Sequence, residues 1–488
     1  MSNNWIDNEL KTVNLKDKRL NNRLAEILKS LGEHPHVSIP AACGGHAETM
    51  AAYRFFDNDK TTFEKILQPH CNATEQRIAA QDIVLCVQDT TELDLTRPQQ
   101  QIRGAGLIGS GDKRYGGYLH LLEAFVPDGT PLGAIWAKNV IRASEKPPKE
   151  QAPQRRKLNS IPIEEKESFR WLEGYRQTIE LAKRNPKTLC VCVGDSESDM
   201  FEVFAEPRCV NAHWLVRMCH DRSVVQDKTE EETELCRIRD MAYQAPVLAT
   251  KKIFIRARTP SISYTKGPRQ QVRKSRNAEL EIRSCRVTVS APLHLRNRKD
   301  MVTMNVVLVS EMNPPEGEQS IEWVLLTTLP ISTLAETITI VEYYTSRWMI
   351  EVFFKTLKSG CGVESLQFET MDRLLSCLAV YLIAAWRVLM ICRLGRSMPE
   401  TSCEMIFDES EWKSTYRIMH PEKPLPKKPP SMKEMTLMIG ELGGWVATPG
   451  KTEPPGPQTT WIGLQRVYDF AIAWKMFGPE AKKYKKDV

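Results

Sequence analysis

Two short apolar runs, each closing on an aspartate, constrain this chain most. DIVLCVQD reaches Asp89 and TLCVCVGD reaches Asp195. Both read as strands, and strand ends in α/β sheets are where functional side chains gather. GGYLHLLEAFV and PLGAIWAKNV follow the first run, with PDGT between them as a turn, so consecutive antiparallel strands are expected. A helix over about 167–183 leads into the second run; a helix near 199–205 and the strand HWLVRM follow it. The expected class is α/β. At 488 residues the chain exceeds one ordinary domain of ~150 residues.

Helices flank this core. Residues 1–70 carry a stripe at helical spacing, Leu20, Leu24, Ile27, Leu28 and Leu31, with Gly32 as its expected stop and Lys18, Arg19 and Arg23 beside it. Beyond 370 the chain reads as all-helical, broken by a Pro/Lys-rich loop at 419–430. Its last helix aligns Leu464, Val467, Ala471 and Trp474. The Pro-, Lys- and Glu-rich stretch 143–166 reads as an exposed loop.

No basic start followed by an apolar stretch marks a signal peptide. The least polar run, Leu374 to Ile391, contains Arg387 and is expected not to span a bilayer, which takes about 20 apolar residues. Thirteen cysteines, an odd number, with Cys86, Cys190 and Cys192 in apolar runs, point to buried reduced thiols in a cytoplasmic protein. Cys209, His213, Cys219 and His220 fall close together, but without a CxxC pair and in an alternating strand, so zinc is not expected.

Charge is unevenly placed. Lys251 to Lys299 holds 14 Lys/Arg against Glu279 and Glu281, so this segment carries +12 and the rest of the +6 chain carries −6. Such density suits a polyanion, because neutralising phosphates releases counterions. VLATKKIFIRAR and AELEIRSCRVTVS bracket the basic tip TKGPRQQVRKSRN, the pattern of a β-hairpin-like arm. A second cluster, KKYKK, reads as a solubilising tail.

A long helix is expected from Leu334 to Lys358. At 100° per residue, Tyr344, Arg347, Glu351, Lys355 and Lys358 fall within an arc of about 80°, along about 21 Å. One acid among three cations and a tyrosine is no core face. A solvated face allows it too; the functional reading is a metal-binding carboxylate among phosphate clamps. Phosphodiester cleavage needs an attacking and a leaving oxygen stabilised in line. Two divalent ions about 4 Å apart can do both, and carboxylates are the ligands Mg²⁺ prefers.

Three blocks carry a family resemblance: VQDTTELDL with Asp89, VGDSESDM with Asp195, and YYTSRWMIEVFFKTLKSG. The last holds a Y-x2-R-x3-E-x6-K signature as Tyr344, Arg347, Glu351 and Lys358. The sequence resembles the bacterial cut-and-paste DDE transposases of the Tn-five type, in the insertion-sequence-four group.

The resemblance implies an α/β fold with an RNase H-like catalytic core over 71–370, carrying a basic β-rich insertion at about 225–330. A helical DNA-end-binding domain (1–70) and a helical C-terminal dimerisation domain (371–488) flank it. Asp89, Asp195 and Glu351 become the triad holding two Mg²⁺ or Mn²⁺ ions per active site. The expected reaction is cleavage at transposon ends through a hairpin intermediate, then joining of 3′-hydroxyl ends to target DNA. Trp323 matches the indole that stacks on a flipped base. Tyr344, Arg347 and Lys358 match phosphate contacts, and Lys355, Arg217, Lys18, Arg19, Arg23 and Arg54 match further DNA contacts. Partners are double-stranded DNA (terminal inverted repeats and target) and a second protomer, with no membrane. The setting is the bacterial cytoplasm, at the nucleoid when DNA is bound. A nuclease or resolvase on the same core, or a non-catalytic transposase-derived inhibitor, are the competing readings.

Overall fold

The structure, a computed structural model, describes residues 5–109, 113–144, 161–225, 236–255, 257, 274–292, 295, 300–318, 320–447, 454–479 and 481. In chain order it begins with helices α1 (Trp5–Glu9), α2 (Lys18–Glu33), α3 (Ile39–Cys43), α4 (His46–Phe56) and α5 (Phe63–Ile78). Strands β1 (Ile83–Asp94), β2 (Gly106–Leu107), β3 (Tyr115–Phe125) and β4 (Pro131–Val140) come next. Then come α6 (Phe169–Arg184), β5 (Leu189–Gly194), α7 (Phe201–Phe204), β6 (Ala212–Arg217), α8 (Ile238–Gln244), β7 (Val247–Ile255), β8 (Arg276–Ser290), β9 (Met301–Met312) and β10 (Glu322–Thr327). The remaining helices are α9 (Leu334–Ser346), α10 (Trp348–Lys355), α11 (Met371–Ser397), α12 (Glu409–Met419), α13 (Met432–Leu442) and α14 (Pro457–Phe477).

The chain divides into two compact units, one of Met1–Ala152, Asn185–Thr188 and Trp348–Val488, the other of Pro153–Arg184 and Leu189–Arg347. In the first, α2 buries Leu24, Ile27, Leu28 and Leu31 as its stripe predicts, while Leu20 stays partly exposed. Gly32 does not stop this helix, which runs on to Glu33. A Cβ there would lie 2.8 Å from the Trp5 indole, so the glycine answers a packing demand.

The hub of this unit is α11. It is buried along most of its length, with α2, α5, α13, α14 and β4 packed around it. Its 27 residues are long and apolar enough to cross a bilayer by length and composition, but 89% of its most apolar window is buried, as in a core helix. Arg387 is buried within it, its guanidinium 4.3 Å from the centre of the Trp5 ring. An aromatic face offers a desolvated cation partial compensation.

In the same unit β3 pairs antiparallel with β1 along one edge and with β2 and β4 along the other. Asp89 sits in the middle of β1, not at its end. Thr90 to Asp94 continue the ladder opposite His120 to Gly116.

In the second unit β5 and β6 are parallel, as βαβ-type connections require. From β6 the order runs β6-β10-β9-β8-β7, each of these pairs antiparallel. The basic β-rich insertion therefore extends the core sheet through β10. A short helix that the sequence pattern did not reveal, α8, packs on β8 and β9. β7 and β8 form the expected antiparallel arm. Residues 265–273 of the basic tip, most of the loop at 143–166 and the KKYKK cluster lie outside the described residues, while the tip's last residues, Arg276 and Asn277, open β8.

Candidate active site and DNA interface

Five of the expected site residues belong to the second unit. Asp195 follows β5 directly and caps a 3-10 turn, its Oδ1 accepting from the Glu197 backbone N–H at 2.8 Å. It remains partly exposed. The other aspartate of the DSESD block, Asp199, is buried. It pairs with Arg222 at 2.5 Å and accepts the backbone N–H groups of Cys219 and His220 at 2.6 Å each. That engagement makes Asp199 a brace for the 219–222 loop, while Asp195 is the aspartate of the block that stays accessible.

Arg217 ends β6 opposite Leu325, and its guanidinium donates to Ser196 Oγ at 3.2 Å. Trp323 lies two residues before Leu325 on β10, so both side chains leave the same face as Arg217. The Trp323 and Tyr344 rings meet edge to face with centroids 5.5 Å apart. Arg347 lies 5.8 Å from the Tyr344 ring centre. Burial raises the Tyr344 hydroxyl above the ordinary phenol range, the neighbouring Arg217 and Arg347 cations oppose that rise, and Asp195 adds to it. An acid, two arginines, a phenol and an indole thus share one locality.

Asp89, Glu351, Lys355 and Lys358 belong to the first unit. Asp89 Oδ1 accepts from the Thr90 N–H at 2.7 Å, and a polar ladder of Thr90, His120 and Gln88 runs beside it at 2.8 and 3.2 Å. Helix α10, which carries Glu351, packs on β1. Lys355 is exposed.

The expected single helix to Lys358 is not continuous. Its α-helical pattern breaks at Arg347, and residues Thr356–Gly360 form a π turn. A wider turn changes the angular step, so Lys358 leaves the stripe that uniform spacing predicts. Its Nζ donates to Glu92 O at 2.7 Å and contacts Glu364 Oε1 at 3.1 Å. The sequence reading also passed over Trp348, an indole 59% exposed between Arg347 and Glu351.

The N-terminal cations sit on the surface. Lys18 and Arg54 are exposed, Arg19 contacts its cap residue Asp17 at 3.2 Å, and Arg23 contacts Glu26 at 2.6 Å. Such exposed pairs contribute little to stability. His213 Nδ1 meets Thr328 Oγ1 at 3.1 Å.

Among the described residues no three His, Cys, Asp or Glu side chains are gathered closely enough to hold a metal ion. By donor chemistry, Asp89, Asp195 and Glu351 do fit Mg²⁺ or Mn²⁺. All three offer hard oxygens and all three are only half-buried.

Three family models match in chain order. Transposase DNA-binding covers residues 2–61, the transposase DDE domain 172–386 and the transposase Tn5 dimerisation domain 383–477. The DDE match spans Asp195 and Glu351 and begins after Asp89. Fold and matches together define a DNA-cleaving and strand-transferring enzyme of a class that generally uses divalent metals, with DNA and a second copy of itself as partners. The chain belongs to the DDE transposases of the Tn5 type. Its α/β fold is an RNase H-like core with a β-rich insertion and helical ends.

Proposed function

We propose that this enzyme excises a transposon by hydrolysis at its terminal inverted repeats, passes through a hairpin intermediate, and joins the 3′-hydroxyl ends to target DNA. The observation that carries this reading is the gathering of Asp195, Arg217, Trp323, Tyr344 and Arg347 in one locality. An acid for a metal stands there beside cations for phosphates and an indole for a displaced base.

Asp89, Asp195 and Glu351 would hold two Mg²⁺ or Mn²⁺ ions. Such ions supply a more acidic water and in-line charge stabilisation at the scissile phosphate. Arg347 and Lys358 hold the flanking phosphates, and Tyr344 positions the nucleotide between them. Trp323 stacks on the base pulled from the helix for hairpin formation, offsetting about 1–3 kcal/mol of lost base stacking. Arg217, Lys355 and the exposed Trp348 contact the same strand.

Residues 1–70 read the ends through Lys18, Arg19, Arg23 and Arg54. Residues 71–370 do the chemistry. Residues 371–488 pair two protomers in the complex that holds both ends. We place the enzyme in the bacterial cytoplasm, at the nucleoid when bound to DNA.

The test is incubation of the purified chain with Mg²⁺, labelled donor ends and supercoiled plasmid. Nicked, hairpin and joined products are expected in sequence. Cleavage without hairpin or joined product would favour the nuclease reading.

A further inference from the structure

We infer that Glu364 is a positioning residue for Lys358, fixing where that ammonium meets a DNA phosphate. This rests on the reading of Lys358 as a phosphate contact.

The π turn at Thr356–Gly360 closes with the Cys361 N–H on Thr356 O at 2.9 Å. Gly362 then takes φ 62°, a left-handed conformation that glycine adopts without strain, and the chain turns back through Val363–Ser365. This reversal returns the Glu364 carboxylate to Lys358, six residues behind it. Oε1 contacts Lys358 Nζ at 3.1 Å and accepts the Asp94 N–H at 2.8 Å. Arg97 secures the same residue from the backbone side, donating to Glu364 O at 3.2 Å and to Leu366 O at 2.7 Å. Glu364 is thus held by β1 and by the segment that follows it.

Lys358 would otherwise carry its charge on a flexible four-carbon stem. Glu92 O accepts from the ammonium and the Glu364 carboxylate stands in ion-pair contact with it, so the charge is held at one place while remaining partly open to a phosphate. A carboxylate beside a phosphate site lowers phosphate affinity by repulsion alone. Any benefit from Glu364 must therefore come from orientation, and the two effects have opposite signs. The pair is nearly a third exposed on both sides, so it adds little to folding stability.

The test uses the full chain, labelled donor ends and Mg²⁺, with single-turnover hairpin formation, end affinity and thermal melting as readouts. The variants are K358A, E364A, E364Q and E364A/K358A. K358A and E364A should each slow hairpin formation roughly tenfold or more, the scale of a misplaced contact group. E364A should leave end affinity within about threefold and Tm within about 3 °C. The double variant should be no slower than K358A, because one removal has already lost what the other would. Glutamine keeps an acceptor oxygen, so E364Q should recover most of the rate.

Slowings that multiply in the double variant would overturn the inference while leaving the phosphate role of Lys358 intact. A K358A chain at the wild-type rate would overturn that role, and the inference with it. Should E364A not fold, E364D takes its place in the same cycle.

Discussion

The Trp323 indole meets the Tyr344 ring edge to face, 5.5 Å between centroids and 66° between planes. Trp323 belongs to a strand of the inserted sheet and Tyr344, the first residue of the Y-R-E-K signature, to α9. Their contact ties the insertion to α9 within one unit, and each ring restrains the other.

Trp323→Ala should spare the first nick and slow hairpin formation by one to two orders of magnitude, the kinetic equivalent of about 1–3 kcal/mol of stacking. Quenched time courses on labelled ends separate the two steps. Equal slowing of both would rule out base stacking as the role of Trp323.

The two aspartates of the DSESD block should separate cleanly. Asp195→Ala should abolish cleavage while end binding and Tm stay near wild type. Asp199→Ala strands Arg222 and two backbone N–H groups, and breaking such a buried pair costs about 3–5 kcal/mol. Melting curves beside cleavage assays decide. An Asp199→Ala chain that melts like wild type would contradict the bracing role.

Gly32→Ala should destabilise the first unit by about 1–3 kcal/mol, because the added methyl meets Trp5 at 2.8 Å. Alanine is ordinarily the better helix former. A stabilised variant in denaturant titration would show that Trp5 moves aside freely.

Burial, then the adjacent Asp408, push the Glu411 carboxyl up to about 7. The unfolded value is about 4.3. The folded chain therefore holds this proton longer, and the stabilisation it confers is full below about pH 4 and lost as pH rises through about 7. Glu411→Gln keeps an acceptor for the Asp408 N–H, bonded at 2.7 Å, and removes the titration. Wild-type Tm should fall relative to this variant between about pH 4 and pH 7. Parallel Tm curves would refute the assignment.

Much of this was legible in the sequence, for physical reasons. Alternation and apolar runs located the strands around Asp89 and Asp195, and helical spacing located the buried stripe of α2. The end of β1 was hidden, because Thr90, Thr91, Glu92 and Asp94 are polar and the segment is held in the strand by β3. The break at Arg347 and the π turn were hidden as well, since angular arithmetic assumes one helical step throughout. Gly32 misled because a helix stop and a close contact favour the same residue. Glu364 gave no signal by spacing; only the reversal at Gly362 brings it to Lys358.

The apolar length of α11 has a consequence for shortened genes. Val388, Ile391 and Leu394 are sheltered by Met435, Ile439, Leu464 and Val467, all of which come later in the chain. A stop codon just after Ser397 would leave a greasy rod bare on that flank. Such a fragment should sediment with aggregates or lipid when cell lysates are fractionated, so a premature stop there would silence this element instead of producing a diffusible competitor. Recovery of the fragment in the supernatant would contradict this.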